Sequence, residues 1–365
     1  MNKIDEICTS YYRVPLEEVL VDAMHGDHTH FELVVVDIIC SDGLSGCGYT
    51  YTGGYGGKAI VQVIEHDLKP FLLQKDPDCI EYLWNKMNWR IHYVGRGGIA
   101  GFAISAIDIG LWDIRGKKAG LPLWKMAGGR GRTVRAYAGG IDLHYPIERL
   151  LSNTRNYLQH GFHGIKIKVG QNRLAEDVER AAAVRELIGS EKKLMIDANM
   201  RWSAAEAVRA ARAMKDLDIF WLEEPTIPED FSAYNLIRKE GGIPVAMGEN
   251  LHTIYEFKDA FSIGRIDFPQ PDASNIGGIT GWLKIACLAE ASNLPVCSHG
   301  MQELHVSLLA GTVNGGYMEV HSFPIDKYTT CPVELNENGE AVAPDVPGTG
   351  VDFNREILNA YKDPQ

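Results

Sequence analysis

Short apolar runs alternate with longer helical segments through the second half of the chain. Eight runs from about residue 133 predict β-strands, at 134–139, 164–169, 193–197, 219–223, 245–248, 268–272, 295–298 and 317–320. Apolar residues at helical spacing lie between them, for example at 175–187, 204–215, 253–261 and 279–292. This alternation predicts a parallel sheet, closed into a (β/α)7β-type TIM barrel. An open doubly wound sheet is the alternative, although no Gly-x-Gly-x-x-Gly opens a helix after the first strand.

The first part of the chain has a different pattern. Residues 31–40 and 46–51 predict an antiparallel hairpin around the turn Ser41-Asp42-Gly43. A polar, histidine-rich segment at 22–30 precedes it and a glycine-rich loop follows at 50–57. Three helices are predicted after the hairpin, at 58–73, 80–89 and 99–118. We therefore predict an α+β capping domain at 1–125, a barrel at 126–325 and a C-terminal segment at 326–365 that packs on the capping domain.

Composition and charge restrict the class of protein. Apolar residues make up 45% of the chain and charged residues 23%, which is typical of a globular protein. A net charge of −12 argues against nucleic acids and anionic membranes as partners. The sequence has no apolar run long enough for a membrane span and no apparent secretion signal. Seven cysteines without C-x-x-C spacing predict reduced thiols. We expect a cytoplasmic homo-oligomer that binds a small molecule.

Two lysines share one face of the strand predicted at 164–169. Side chains alternate along a strand, so Lys166 and Lys168 point the same way and the apolar residues point the other way. Adjacent ammonium groups repel each other and resist burial. An edge strand with a solvated lysine face would explain an isolated pair. The residues downstream favour a different hypothesis, in which anionic groups face the lysines.

Polar residues follow at the C-terminal ends of six later predicted strands: Asp197, Glu223, Glu249, Asp272, His299 and Glu319. One acid in such a position is most often a helix cap or a loop ligand. In a barrel, however, the C-terminal ends of all strands meet at one face, where active sites are assembled. Repetition on consecutive strands, after the lysine strand, therefore predicts a single active site.

The chemistry of these residues can be argued from their types. Asp197, Glu223 and Glu249 would repel each other without a cation, and a carboxylate trio without cysteine or histidine suits Mg²⁺. The lysines precede the trio around the barrel, whereas Asp272 and His299 follow it, with the aspartate able to orient and charge the imidazole. A cation between two candidate bases suits removal of a proton from the carbon next to a carboxylate.

This set of residues resembles the active site of the enolase superfamily, in the mandelate racemase subgroup, over essentially the whole chain. The resemblance implies that Mg²⁺ is bound by the carboxylate trio. It also implies that Lys168 is one base, that Lys166 supports the substrate carboxylate, and that Asp272 with His299 is the other acid/base. Glu319 would hydrogen-bond a substrate or enolate oxygen. The capping-domain loops would close over the substrate and set specificity.

Three stretches, at 27–33, 48–54 and 298–305, are similar to the 3,6-anhydrogalactonate cycloisomerases of this subgroup. The similarity implies removal of the C2 proton, expulsion of the ring oxygen from C3, and formation of a 2-keto-3-deoxy acid. An aldonate or aldarate dehydratase is the second hypothesis, and a non-catalytic sugar-acid binder the third. An aldarate enzyme needs a further cation for the distal carboxylate, for which Arg96 and Lys58 are candidates. The sequence leaves open the sugar series and which base takes the proton.

Further residues are candidates for substrate binding: His25, His28, Tyr51, Asn199, Tyr137 and His252. Several of them have an alternative explanation. The histidines of 22–30, with His30, could be solvated or bind a transition metal. Tyr51 could pack within its hairpin, and Tyr137 could belong to the barrel core. His252 and His321 lie just beyond predicted strand ends.

Overall fold

The computed structural model describes residues 2–363 and begins with a three-stranded antiparallel sheet. Its strands are β1 (Ile4–Asp22), β2 (Gly26–Cys40) and β3 (Ser45–Thr52), hydrogen-bonded in that order. The histidine-rich segment at 22–30, for which the sequence predicted no element, belongs to this sheet, because β1 and β2 pair as far as Asp22 and Gly26. The turn between them uses Gly26 at φ 72°, a conformation that glycine adopts without strain. The histidine-rich segment is thus a rigid hairpin tip.

Helices follow this sheet: α1 (Gly57–Gln62), continued by a π-helical turn at Val63–Leu68, α2 (Lys69–Leu72), α3 (Ile80–Ile91), α4 (Ile99–Ala119) and the short α5 (Leu123–Met126). Helices α1 and α4 contact the strands of the sheet, and α5 packs against α4. Helix α4 is buried along most of its length and lies directly on β3. Gly48 permits this close packing, since a Cβ there would lie 1.9 Å from the carbonyl oxygen of Ala106.

The barrel strands follow: β4 (Thr133–Gly139), β5 (Gly164–Lys168), β6 (Lys193–Asp197), β7 (Ile219–Glu223), β8 (Val245–Met247), β9 (Phe268–Pro269) and β10 (Met318–His321). They are parallel in the order β10-β4-β5-β6-β7-β8-β9. The connecting helices are α6 (Ile147–Gln159), α7 (Leu174–Ile188), α8 (Ala204–Ala213), α9 (Phe231–Gly241), α10 (Ile254–Asp259), α11 (Gly278–Ala291) and α12 (Gln302–Gly311), with a π-helical turn at Ala260–Gly264 after α10 and a 3-10 turn at Lys215–Leu217 after α8. This confirms the predicted barrel with its capping domain.

The strand predicted at 295–298 was wrong, because only an isolated parallel bridge joins Val296 to Gly315. Single hydrogen bonds nevertheless close the barrel there. The Cys297 N–H donates to the Pro269 carbonyl at 2.8 Å, and the Ser298 N–H donates to the Tyr317 carbonyl at 3.3 Å. His299 therefore still follows the barrel wall.

The C-terminal segment contacts both parts of the molecule. β11 (Glu334–Leu335) and β12 (Glu340–Val342) form a hairpin that pairs antiparallel with β4. A 3-10 turn at Ile325–Tyr328 precedes this hairpin, and α13 (Arg355–Leu358) follows it and continues into a 3-10 turn at Asn359–Tyr361. Arg355 reaches Asp37 of β2 at 2.7 Å. Within residues 2–363, none of the helices is long and apolar enough to cross a membrane.

Candidate active site

The two lysines of β5 point into the barrel and contact carboxylates. Lys166 is 2% exposed and Lys168 is 5% exposed, which excludes the solvated edge strand. The Lys166 ammonium lies 2.5 Å from Glu223 Oε1 and 2.8 Å from Glu319 Oε1. The Lys168 ammonium lies 2.5 Å from Asp197 Oδ2. Anionic groups therefore face both lysines. Their attraction offsets the unfavourable burial of the two ammonium groups.

The carboxylate trio converges at the C-terminal ends of three adjacent strands. One oxygen each of Asp197, Glu223 and Glu249 lies within 4.8 Å of the others. Burial alone would raise the pKa of Asp197, but Lys168 and Lys166 hold it below its usual value. An all-carboxylate donor set fits a hard divalent cation such as Mg²⁺.

Neighbouring polar groups also fit a cation at this place. Asn199 follows β6 at φ 40°, and its buried Oδ1 has no hydrogen-bond partner among the described residues. Glu223 is oriented by two donors to Oε2, the Trp221 indole at 2.9 Å and the Gln270 amide at 2.8 Å. Sequence reasoning missed Gln270, whose only signal was its place two residues before Asp272.

The acid/base pair is assembled from β9 and the segment after Ser298. His299 Nδ1 lies 2.9 Å from Asp272 Oδ2, and its Nε2 lies 3.4 Å from Glu249 Oε2. Burial disfavours the charged imidazole, but these carboxylates raise the pKa of His299 to about 10. Tyr51 donates its hydroxyl to the same Asp272 oxygen at 2.9 Å. The capping domain thus supplies a contact to the pair.

His305 holds the backbone next to this pair by two hydrogen bonds, a role that sequence reasoning missed. Its Nδ1 donates to the Gly300 carbonyl at 2.7 Å, and its Nε2 accepts the Ala273 N–H at 3.0 Å. These backbone groups adjoin His299 and Asp272, so one buried imidazole holds both chain segments in place.

A cavity of about 380 Å³ opens above these groups, between the barrel mouth and the capping domain. Five of the six predicted substrate-binding residues line it: His25, His28, Tyr51, Asn199 and His252. Lys168, Glu249, Asp272 and His299 line the same cavity, so predicted binding and catalytic groups share one space.

Tyr137 is the exception, because the structure does not bring it to the cavity. It is fully buried among Met195, Trp221 and Cys297 in the barrel interior. Its hydroxyl lies 3.4 Å from the Ser298 carbonyl. Tyr137 precedes the end of β4 by two residues, which places it below the mouth, so it is a core residue and the substrate-binding prediction for it was wrong.

The hairpin histidines are organised by Asp22, whose role was missed. His25 Nδ1 and His28 Nε2 lie 2.9 and 2.7 Å from the same Asp22 oxygen. His30 does not join them, since its Nε2 bonds the Gly54 carbonyl at 3.1 Å. Asp22 thus joins His25 and His28 at the hairpin tip, and His30 lies apart from them.

The two cations considered for a distal carboxylate lie elsewhere. The Arg96 guanidinium stacks 5.5 Å from the Trp89 ring centroid and lines a separate cavity. Lys58 pairs with Asp363 at 3.0 Å. Among the described residues that line the active-site cavity, Lys168 is the only lysine or arginine.

Comparisons with known proteins match both parts of the chain. A family model described as "Mandelate racemase / muconate lactonizing enzyme, N-terminal domain" matches residues 10–128, and one described as "Enolase C-terminal domain-like" matches residues 149–357. A Streptomyces coelicolor 3,6-anhydro-alpha-L-galactonate cycloisomerase is 47% identical, covering 96% of this chain and 98% of the relative.

Solved structures agree with these matches. A Streptomyces coelicolor A3(2) racemase with bound magnesium is 46% identical at a TM-score of 0.96, covering 99% of this chain and 100% of that one. An L-talarate dehydratase from Polaromonas sp. JS666, complexed with Mg and L-glucarate, is 32% identical at a TM-score of 0.93. The alignment with it covers 100% of this chain and 98% of that chain.

Proposed function

Because the chain belongs to the mandelate racemase subgroup of the enolase superfamily, we propose that it is a Mg²⁺-dependent 3,6-anhydrogalactonate cycloisomerase. The product is 2-keto-3-deoxygalactonate, formed by opening the anhydro ring without loss of water. The 47% identity to a cycloisomerase over nearly the whole chain supports this reaction. The structure contributes a cavity lined by the candidate bases Lys168 and His299 and by Glu249 of the carboxylate trio.

The chain's own residues account for the proton transfers. Lys168 and His299 both line the cavity, and they come from strand ends on either side of the carboxylate trio. One removes the C2 proton, and the other protonates the oxygen that leaves C3. Lys166 pairs with Glu223 behind the cavity wall, and from there its positive charge favours a substrate carboxylate next to the trio. The trio would hold Mg²⁺, which would supply Lewis-acid stabilisation of negative charge on the substrate.

The electrons balance without a redox partner. The C2–H bond breaks and its electron pair enters the enediolate. That pair forms the C2–C3 double bond as the bond from C3 to the ring oxygen breaks. The oxygen keeps the bonding pair and takes up a proton. The resulting enol becomes the 2-keto-3-deoxy acid as C3 gains a proton and the C2 hydroxyl loses one.

The charged residues around the cavity favour a substrate with one carboxylate. An aldarate has a second carboxylate, which needs a further cation away from the metal. Arg96 and Lys58 lie outside the cavity, and the hairpin histidines are balanced by Asp22. We therefore favour a substrate with one carboxylate over a hexarate.

An acid-sugar dehydratase is the second candidate, supported by the similarity to the L-talarate dehydratase. It would use the same proton transfers and expel hydroxide instead of the ring oxygen. A non-catalytic binder is disfavoured, since it would have no use for two buried bases beside a metal site.

The test supplies Mg²⁺ with 3,6-anhydro-L-galactonate, its D-counterpart, and a panel of hexonates and hexarates. Formation of the 2-keto-3-deoxy acid is measured, with the Lys168→Ala variant as the inactive control. We expect turnover of an anhydro acid. Turnover of hexonates or hexarates without turnover of either anhydro acid would overturn the proposal in favour of a dehydratase.

A further inference from the structure

The side of the barrel mouth formed by β10 and β4, here called the arc, carries a polar residue, His321, that the proposed proton transfers do not use. The carboxylate trio lies on β6 to β8, and β10 and β4 lie across the barrel from it. His321, the last residue of β10, lines the cavity on this arc beside Phe323. A substrate whose carboxylate faces the trio has room to extend its remaining carbons toward this arc.

The backbone fixes the hydrogen-bonding state of His321. The Phe323 N–H donates to His321 Nδ1 at 3.1 Å, so this nitrogen carries a lone pair and the ring proton is on Nε2. Burial lowers the pKa of His321 to about 3, the positive charges of His299 and Lys166 act in the same direction, and the attraction of Glu319 opposes the shift. His321 is therefore a neutral hydrogen-bond donor.

Glu319, which the resemblance assigned to a substrate oxygen, is already engaged within the protein. Lys166 lies 2.8 Å from Glu319 Oε1, and the Gly300 N–H donates to Oε2 at 3.0 Å. An ionised carboxylate has no proton to donate to an oxygen that gains negative charge. One nitrogen each of His299 and His321 lies within 4.8 Å of a Glu319 oxygen and of each other. His321 thus offers a neutral donor beside the acid/base pair.

We propose that His321 Nε2–H hydrogen-bonds the ring oxygen as it leaves C3, and that His321 is a catalytic residue of the elimination step. This role rests on the proposed function. His321 stays neutral throughout. The C3–O bond breaks with its electron pair going to oxygen, and the proton that oxygen takes up comes from the acid partner of the C2 base. The hydrogen bond stabilises negative charge on the ring oxygen. This charge develops when the C3–O bond breaks and is absent when the C2 proton is removed.

The two steps can be measured separately in D₂O with Mg²⁺ and the anhydrogalactonate of the series that the wild type turns over. NMR follows product formation and, in recovered substrate, replacement of the C2 proton by deuterium. His321→Asn keeps an acceptor near the position of Nδ1 but lacks the Nε2 donor, whereas His321→Gln places an amide N–H near Nε2. Circular dichroism and the Mg²⁺-induced rise in Tm check folding of both variants.

We expect His321→Asn to lower product formation by about 100-fold or more while C2 exchange falls less than about threefold. His321→Gln should form product about tenfold faster than His321→Asn. A parallel loss of exchange and elimination, or elimination at the wild-type rate, would overturn the role of His321 alone. A folded wild type that gives neither product nor exchange with either anhydro acid would overturn the proposed function, and this role with it.

Discussion

Tyr51 of the capping domain donates a hydrogen bond of 2.9 Å to Asp272 of the barrel, at the oxygen that also binds His299. The tyrosine is buried, and its hydroxyl lies 3.5 Å from His299 Nδ1. A Cβ on Gly300 would lie 2.3 Å from the same hydroxyl, so the contact is sterically enclosed. The acid/base pair is thus completed across the junction between the two parts of the molecule.

Tyr51→Phe is expected to lower kcat by roughly 10-fold, because a hydrogen bond to a buried carboxylate contributes about 1.5–3 kcal/mol. Steady-state kinetics with the preferred substrate measures the effect. Tyr49→Phe is the matched control, since Tyr49 donates to Glu303 and not to the pair. An unchanged kcat for Tyr51→Phe, or an equal loss in both variants, would contradict a specific role for Tyr51.

Replacing either candidate base should stop the chemistry and leave the metal site intact. We expect Lys168→Ala and His299→Asn each to lower kcat by at least about 100-fold. Isothermal titration with Mg²⁺ checks that the cation still binds. Full activity after either change would remove that residue from the mechanism.

Removal of the cation should abolish activity and reduce stability. EDTA treatment is expected to eliminate turnover, and added Mg²⁺ should restore it. Because a ligand that binds the native state stabilises it, Mg²⁺ should raise Tm, and Glu249→Gln should greatly reduce this rise. Differential scanning fluorimetry compares it with Glu290→Gln, a change at an exposed residue of α11. An equal rise in both variants would argue against Glu249 as a ligand.

Glu303 is expected to make the free energy of unfolding depend on pH. It is 2% exposed, accepts the Tyr49 hydroxyl, and burial raises its pKa from 4.5 to about 8. Between these values the native state keeps a proton that the unfolded chain has lost, so this group lowers the free energy of unfolding as pH rises.

Glu303→Gln removes this titration. The stability of the variant relative to the wild type should therefore rise from pH 5 to pH 8, by at most about 1.4 kcal/mol per pH unit, and level off above pH 8. Urea unfolding at each pH measures the difference. A difference that does not change with pH would show that Glu303 titrates normally in the native state.

The sequence by itself determined the barrel and the composition of its active site. Strand and helix alternate clearly from residue 133, and polar residues recur where strands end. In a parallel barrel these two patterns suffice to bring Lys168, Asp197 and His299 to one face, because every strand ends at the same side. The resemblance of this set to the enolase superfamily followed from residue types and spacing alone.

Only the tertiary structure decided how side chains from distant segments meet. Tyr51 and Asp272 are 221 residues apart, and no local pattern relates them. Tyr137 and His321 both lie near strand ends, yet one is enclosed in the barrel core and the other faces the cavity. Periodicity specifies the face of a strand, whereas depth in the barrel and the choice of hydrogen-bond partner depend on packing between elements far apart in the chain.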